Sequence, residues 1–342
     1  MKNMLYGLAA LLVLQLALAI GLNVTHAGLA GQPPEVALLN LAPGDISRVT
    51  ISDSDGNSVT LAKAKDAWTL PDRGDFSADQ EKVKTMIADL TAAKEGPAVA
   101  TSKGADKRFK VAENTFERKV VLGPADRPQA VIYLGTAQGT QQVSVRRDGQ
   151  QDVRRIAFHV YSAPAKTDSW IDRKILEIAP DKIASFAWGD VKLSRVAANA
   201  DAKAADNGTD STKSADAGWQ MKLAGAASEP VGTDAVTALT GKLADLQITG
   251  LADSADKPKD LPTLDLTVTL TDGKTVDLAL WKLGDAKYQV AATSAPWPVT
   301  LAKGPAEALI SAVSDPAFQP PAPEPATTAA PADVTTPGTS GG

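Results

Sequence analysis

The chain offers few of the side chains that enzymes use as nucleophiles, bases or metal ligands. Two of its 342 residues are histidines and none is cysteine, which excludes thiol nucleophiles, disulfides and cysteine-bound metal clusters. His159 lies in the apolar run IAFHVY, and a Ser-His-Asp triad would have to use it, since His26 lies just after the apolar N-terminal run. No G-x-S-x-G nucleophile elbow supports such a triad, and no Walker A or Rossmann motif is present. We therefore predict a protein that is not an enzyme, with no catalytic residues, no metal and no cofactor.

One acidic stretch resembles the start of a calcium-binding loop. Residues 53–57, DSDGN, have the opening spacing of an EF-hand, but the twelfth position is Ala64 instead of Glu. Asp-Gly pairs recur at 148–149 and 272–273, each between alternating apolar stretches. This recurrence favours tight turns over metal binding. Two carboxylates that meet only in space, as in glycosidases, leave a carboxylate-dependent hydrolase as an alternative function.

The most distinctive charged feature is VSVRRDGQQDVRRIAF at residues 143–158, in which two arginine pairs flank a predicted hairpin turn. The four residues are Arg146, Arg147, Arg154 and Arg155. Because neighbouring residues in a strand face opposite sides, each face of the hairpin receives one arginine from each pair. Either Asp148 and Asp152 neutralise them locally, or they form an interaction surface for a lipid phosphate, an anionic glycan or an acidic partner protein.

Tryptophans provide one further candidate for an interaction surface. Trp297 stands between Pro296 and Pro298, a pattern typical of an exposed loop. Four other tryptophans occur in strand-like contexts and are predicted to anchor cores: Trp68, Trp188, Trp219 and Trp281.

The N-terminus predicts a membrane anchor. Residues 4–22, MLYGLAALLVLQLALAIGL, carry no charge, and 19 residues of helix extend roughly 28 Å, close to the thickness of the bilayer hydrocarbon. We favour an uncleaved single-pass anchor within residues 1–27 over a signal peptide, for which residues 28–30 offer a small-x-small cleavage site. Lys2 favours a cytoplasmic N-terminus, which places the rest of the chain outside the cytoplasm.

The remaining chain is long enough for two domains, and its net charge of −5 argues against a nucleic-acid partner. The first predicted module spans residues 35–176 and the second spans residues 177–315. A polar, Ala- and Asp-rich insertion at 198–218 interrupts the second module. Residues 316–342, rich in Pro, Ala and Thr, are predicted to be a disordered tail.

The two modules repeat one pattern. LNLAPGDISRVTI at 39–51 aligns without gaps with LEIAPDKIASFAW at 176–188. Each stretch opens a series of short strands, then one amphipathic helix, then further strands; in the first module Ser77 and Gln80 predict a capping box for that helix. A helix that follows hairpins, instead of alternating with every strand, indicates an antiparallel α+β fold. We predict two tandem copies of an antiparallel-sheet-plus-helix module after an N-terminal transmembrane helix.

The repeated unit, the Trp-x-[Leu/Met] strand followed by a helix, the linking SWIDRKILEI at 169–178 and the N-terminal anchor resemble the bacterial domain-of-unknown-function 4340 family over roughly residues 35–315. The resemblance implies a single-pass protein of the bacterial inner membrane with a periplasmic repeat region. It also implies a membrane-protein partner in an ABC-type transport assembly related to those of gliding motility. The alternative to this accessory role is a glycan- or anionic-lipid-binding envelope module that uses the arginine hairpin.

Overall fold

The computed structural model describes residues 11–15, 36–124, 126–139, 141–196, 218–253 and 258–319. Within these ranges no helix is long and apolar enough to span a membrane. The predicted anchor at 4–22 is described only at residues 11–15, which are helical. The predicted insertion, apart from Gly218, and the predicted tail beyond residue 319 lie outside the described residues.

From residue 36 onward, the first part of the chain alternates short strands with two helices. The strands are β1 (Val36–Ala37), β2 (Arg48–Asp53), β3 (Ser58–Ala64), β4 (Ala67–Leu70), β5 (Phe76–Ser77), β6 (Lys94–Glu95), β7 (Val111–Ala112), β8 (Thr115–Phe116), β9 (Arg118–Leu122), β10 (Ala130–Gln138), β11 (Gln142–Arg147) and β12 (Arg154–Ala157). The helices are α1 (Gln80–Ala92) and α2 (Ala105–Arg108).

The later part of the chain also consists of short strands and two helices. Its strands are β13 (Ile183–Trp188), β14 (Val191–Arg195), β15 (Trp219–Leu223), β16 (Ser228–Val231), β17 (Gly250–Leu251), β18 (Leu264–Leu270), β19 (Thr275–Leu283), β20 (Lys287–Ala292) and β21 (Val299–Ala302). Its helices are α3 (Thr233–Ala244) and α4 (Lys303–Val313).

Two large sheets dominate the described residues. One has eight strands in the order β12-β11-β10-β9-β2-β3-β4-β5, and the other has nine in the order β16-β15-β14-β13-β18-β19-β20-β21-β17. Short two-stranded sheets join β1 to β6 and β7 to β8. Every pairing within the eight-stranded sheet is antiparallel. The predicted α+β class with antiparallel sheets is confirmed.

Both large sheets follow one strand order. In each sheet, four consecutive strands form a first meander, which is followed by a helix. A second meander of four strands comes later in the chain, and the first strands of the two meanders pair with each other. In the eight-stranded sheet β2 pairs with β9, with Ile51 opposite Val120. In the nine-stranded sheet β13 pairs with β18, with Phe186 opposite Val268. Each sheet is therefore a pair of meanders joined at their first strands, with β17 added to the outer edge of the second.

The same alternation that predicts the strands builds the core. Val49 and Ile51 of β2 are fully buried, while the intervening Thr50 is only partly covered. The two aligned stretches also fold alike: a 3₁₀ turn at Pro43–Asp45 precedes β2, and a 3₁₀ turn at Pro180–Lys182 precedes β13.

Helix α1 begins two residues later than the capping box at Ser77 predicts. Asp79 caps the helix by accepting a 3.1 Å hydrogen bond from the Lys82 amide, whereas Ser77 belongs to β5. The Gln80 side chain does not return to the cap. It forms two hydrogen bonds with the Trp68 backbone instead, accepting from the amide at 2.8 Å and donating to the carbonyl at 2.9 Å. The expected cap was wrong because Gln80 has these better-placed partners in β4.

The described residues form two compact units. The first comprises residues up to Ile175 together with 248–256 and 295–300, and the second comprises 176–247, 257–294 and the residues from 301 onward. In the second unit, Pro316–Phe318 forms a 3₁₀ turn although the sequence pattern assigns it to the tail. Phe318 is buried and its ring meets that of Trp188 edge-on at 5.4 Å, so apolar burial carries the ordered fold past residue 316.

One glycine marks a close crossing of backbone segments in the first unit. Gly135, in β10, lies under the segment 109–111, and the Thr136 amide donates a 3.0 Å hydrogen bond to the Phe109 carbonyl. A Cβ atom at Gly135 would fall 2.5 Å from the Lys110 carbonyl oxygen and overlap the carbonyl oxygen of Phe109. Only glycine permits this approach, because backbone carbonyls held in a hydrogen-bonded crossing cannot move aside cheaply.

We therefore expect Gly135→Ala to lower the free energy of unfolding by about 2–3 kcal/mol. Urea unfolding of the full chain, followed by tryptophan fluorescence, measures the change. Gly44→Ala is the control, since a Cβ there meets nothing within 4 Å. Equal stability of the two variants would contradict the crossing.

Candidate functional site

The arginine hairpin forms as the sequence predicts, between β11 and β12. Val145 pairs with Arg154 and Ser144 pairs with Arg155. Since directly opposite residues share a face, Arg147 and Arg154 lie on one face of the sheet and Arg146 and Arg155 lie on the other. The two faces give the four side chains different environments.

A buried carboxylate holds the first pair. Glu95 of β6 has a side chain only 3% exposed, and its Oε1 lies 3.0 Å from Arg147 Nε. Its Oε2 lies 3.5 Å from Arg154 Nε and accepts a 3.1 Å hydrogen bond from an Arg147 terminal nitrogen. The two arginines, each about 30% exposed at the side chain, thus share one counter-ion. A buried carboxylate is tolerated only with such partners, so the cluster fixes β6 against the hairpin.

The aspartates that the sequence favours as counter-ions have lesser roles. Asp152 Oδ2 lies 3.3 Å from an Arg154 nitrogen, and Asp148 accepts a 3.4 Å hydrogen bond from the Tyr133 hydroxyl instead of meeting an arginine closely. Sequence patterns did not reveal Glu95 as a partner, because it lies 52 residues before Arg147 in a two-residue strand.

Arg146 is a structural residue. It is buried, and its Nε donates a 2.7 Å hydrogen bond to the Val111 carbonyl while a terminal nitrogen donates to the Gln150 carbonyl at 3.0 Å. Its guanidinium also lies over the Tyr133 ring, 4.6 Å from the centroid. Burial, followed by the negative charges of Asp148 and Glu113, raises the pKa of Tyr133, and Arg146 opposes this shift. Arg146 therefore ties β7 to the hairpin and is not available to a ligand.

Arg155 differs from the other three arginines because it is exposed. It borders an open groove of about 900 Å³, which we call the β12 groove. One wall is formed by the end of α1 and the segment that follows it. The other wall is formed by the start of β11, by β12 and by the two residues that follow β12. The lining residues are Asp89, Ala92 to Val99, Gln141, Gln142 and Arg155 to His159.

The β12 groove contains part of a sheet edge. β12 is the outermost strand of the eight-stranded sheet, and the segment 96–100 covers part of its outer side. The Gly96 amide donates to the Arg155 carbonyl at 3.0 Å, and the Val153 amide donates to the Ala100 carbonyl at 2.9 Å. Strand β6, which immediately precedes this segment, also lies beside β12.

Trp297 is half-buried and already has partners within the first unit. Its indole N–H donates a 2.9 Å hydrogen bond to the Ala252 carbonyl, and the Arg73 guanidinium lies 5.0 Å from its ring centroid. These contacts fix the loop at 296–298 and leave only part of the ring for any other molecule.

The remaining candidates for chemistry are dispersed. His159 is exposed at the end of the β12 groove. Within the described part of the chain, no three His, Asp or Glu side chains come together in a way that could hold a metal ion. The calcium-like stretch is a turn: Asp53 Oδ1 accepts from the amides of Asp55 at 3.0 Å and Asn57 at 2.9 Å. Its Oδ2 accepts from the Asn57 side chain at 2.9 Å.

Together these observations define the class of protein as α+β, with two large, mainly antiparallel sheets among the described residues and a groove at the edge of the first. Residues 68–267 match the family described as Domain of unknown function (DUF4340), and the chain belongs to this family. No curated protein and no solved structure matches the chain.

Removing the shared counter-ion has a predicted cost. We expect Glu95→Gln to lower the free energy of unfolding by about 1–3 kcal/mol, because two partly buried arginines lose their common carboxylate. Asp152→Asn removes an exposed carboxylate from the same Arg154 and should change stability by less than about 0.5 kcal/mol. Urea unfolding of both variants measures the difference, and similar losses would show that Glu95 is not the organising charge.

The Asp53 turn predicts a pH dependence. Burial alone would raise the pKa of Asp53, but the side-chain and backbone hydrogen bonds from Asn57 and Asp55 outweigh it and hold the pKa below 3.8. A lowered pKa stabilises the fold at pH values above that of the unfolded carboxyl, and this contribution is lost as the pH falls through the folded-state pKa. The stability advantage of wild type over Asp53→Asn should therefore be full at pH 7 and shrink below pH ~4. Urea midpoints across this range test it, with Asp55→Asn as control; a difference independent of pH would contradict the assignment.

Proposed function

We propose that the chain is a non-catalytic, single-pass envelope protein whose extracytoplasmic region binds a partner in an ABC-type transport assembly. Membership of the DUF4340 family and the apolar stretch at 4–22 support this role. The observation that carries it is the β12 groove, an open cavity of about 900 Å³ that is large enough for a segment of another protein.

We also propose that the two large sheets are copies of one module. Their strands follow the same order, the first meander of each sheet is followed by a main helix, and the aligned stretches 39–51 and 176–188 both form a 3₁₀ turn before a strand. Duplication of a module enlarges the surface of a protein without requiring a new fold. This suits a protein that works by contact.

The arginine contacts favour this role over binding of an anionic lipid or glycan by the whole hairpin. Arg146 donates to backbone carbonyls, and Arg147 and Arg154 share Glu95. A ligand phosphate would have to compete with a buried carboxylate for those guanidinium groups. Only Arg155 remains exposed, and one exposed arginine is a weak basis for binding a charged surface.

The proposal predicts a stable membrane partner. The tagged full chain, solubilised from its own host in mild detergent, should co-purify with membrane components of one transport assembly, identified by mass spectrometry. An unrelated anchored protein with the same tag controls for carry-over in detergent.

Repeated recovery of the chain alone would contradict the proposed function. Sedimentation of the chain with vesicles that contain anionic lipid, in the absence of any partner, would favour the lipid-binding alternative instead.

A further inference from the structure

We infer that a polar cavity in the first unit binds the phosphate group of a small ligand. The cavity, which we call the Arg73 pocket, has a volume of about 410 Å³. Every residue that lines it belongs to the first unit, and none of them lines the β12 groove. The inference goes beyond the proposed function and does not depend on the transport partner.

Several separate stretches of the chain build the Arg73 pocket, and most of their side chains are polar. The lining residues are Asn57, Ser58, Arg73, residues 165–169, Arg173 and residues 251–253. Apart from Ala165, Leu251 and Ala252, all of these side chains are polar or charged. An apolar ligand would remove them from water without replacing their hydrogen bonds, so the lining favours a polar ligand.

The charged side chains of the pocket indicate the sign of the ligand. Three of the lining residues are cations and two are carboxylates: Arg73, Lys166 and Arg173, with Asp168 and Asp253. None of the three cations forms an ion pair among the residues that the structure describes. They therefore keep their capacity to bind an anion.

One of the two carboxylates is engaged with the pocket wall. Asp168 Oδ1 accepts a 3.2 Å hydrogen bond from the Leu251 amide. Its Oδ2 lies close to the backbone as well, since a Cβ atom at Gly250 would fall 2.8 Å from it. A carboxylate that accepts a backbone hydrogen bond already has part of its charge compensated, which weakens its repulsion of a bound anion.

Arg73 is held in place by stacking. Its guanidinium lies 5.0 Å from the centroid of the Trp297 ring, and the Trp297 indole is fixed by its 2.9 Å hydrogen bond to the Ala252 carbonyl. Among the described residues the guanidinium donates no hydrogen bond. Stacking on a ring fixes the plane of a guanidinium and leaves its in-plane N–H groups for a bidentate ligand.

A further cation lies close to Arg173. Lys82 Nζ donates a 2.6 Å hydrogen bond to the carbonyl of Ser169, which lines the pocket. Burial lowers the pKa of Lys82; Asp79 counteracts this shift, and the positive charge of Arg173 adds to it. The two cations thus repel each other. An anion beside Arg173 would relieve this repulsion.

Phosphate is the anion that suits these groups. A guanidinium binds phosphate through two parallel N–H···O bonds, and an ammonium binds it as a point charge. A phosphate monoester carries about −1.5 to −2 charges at neutral pH and has three acceptor oxygens. It can therefore engage cations from several stretches at once, together with the hydroxyls of Thr167 and Ser169 in the lining. The ligand class is a phosphate monoester, as a soluble molecule or as a lipid headgroup.

Four substitutions test the pocket. Arg73→Gln and Arg173→Gln each remove one guanidinium, and Arg127→Gln is the matched control at an exposed arginine of the same unit outside the lining. Asp168→Asn removes a negative charge and keeps the oxygen that accepts from Leu251. Urea unfolding of each variant establishes that the fold is retained. If Arg73→Gln fails to fold, Arg173→Gln and Asp168→Asn decide the outcome.

The assay is isothermal titration calorimetry of the full chain in non-ionic detergent with glycerol 3-phosphate, against sodium chloride at the same ionic strength. We expect saturable binding of the phosphate ester alone. Arg73→Gln and Arg173→Gln should each weaken it about tenfold, with Arg127→Gln near wild type. Asp168→Asn should strengthen it about threefold, a gain that a merely structural role of these residues does not produce.

Mixed micelles of the same detergent with phosphatidic acid or with phosphatidylcholine distinguish the two sources of phosphate. Competition with glycerol 3-phosphate by phosphatidic acid alone would assign the site to a lipid headgroup, and no competition by either lipid would assign it to a soluble ester.

Three results would overturn the inference. They are the absence of saturable binding to both glycerol 3-phosphate and phosphatidic acid, an affinity unchanged by Arg73→Gln and Arg173→Gln, and an equal loss in Arg127→Gln. Each would leave the proposed function to be decided separately by co-purification.

Discussion

The architecture of the first unit depends on how a single buried carboxylate is neutralised. Glu95 lies in a two-residue strand just after helix α1, and it meets arginines from the end of β11 and the start of β12. An uncompensated charge in this position would cost several kcal/mol, which favours the arrangement that brings these three segments together. The sequence of the hairpin suggests a ligand-binding surface, but its arginines mainly hold β6 against β11 and β12. It also positions one wall of the β12 groove.

A second constraint governs both large sheets: every strand edge exposes backbone donors and acceptors that need partners. In each sheet, the segment that follows the main helix returns to the last strand. Residues 96–100 bond to Val153 and Arg155, and β17 pairs with β21. In both sheets this segment supplies backbone partners to the last strand.

Local patterns in the sequence were sufficient to predict the fold class and the turns. Alternation predicts the strands, and Gly56 and Gly273 take the positive φ angles that Asp-Gly turns require. Contacts between distant residues were not predictable. The Glu95 cluster joins positions 52 residues apart, and no periodicity encodes such a pairing. The helix cap at Ser77 failed for a related reason, since the tertiary partners of Gln80 outweighed a sequence motif.

The first unit is formed by three separate stretches of the chain, and this affects how the chain can be expressed. Ile248 donates its amide to the Arg173 carbonyl, and Trp297 stacks with Arg73, so late segments complete a unit that begins before residue 40. During vectorial synthesis the first unit cannot close until its own residues 295–300 have been made, after residues 176–247 and 257–294 of the second unit. If the gene were divided at residue 176, the N-terminal fragment would therefore lack residues 248–256 and 295–300, which belong to the first unit. To study the parts of this chain separately, the two fragments should be co-expressed so that they can complement each other. Expressing each half alone would leave the first unit incomplete.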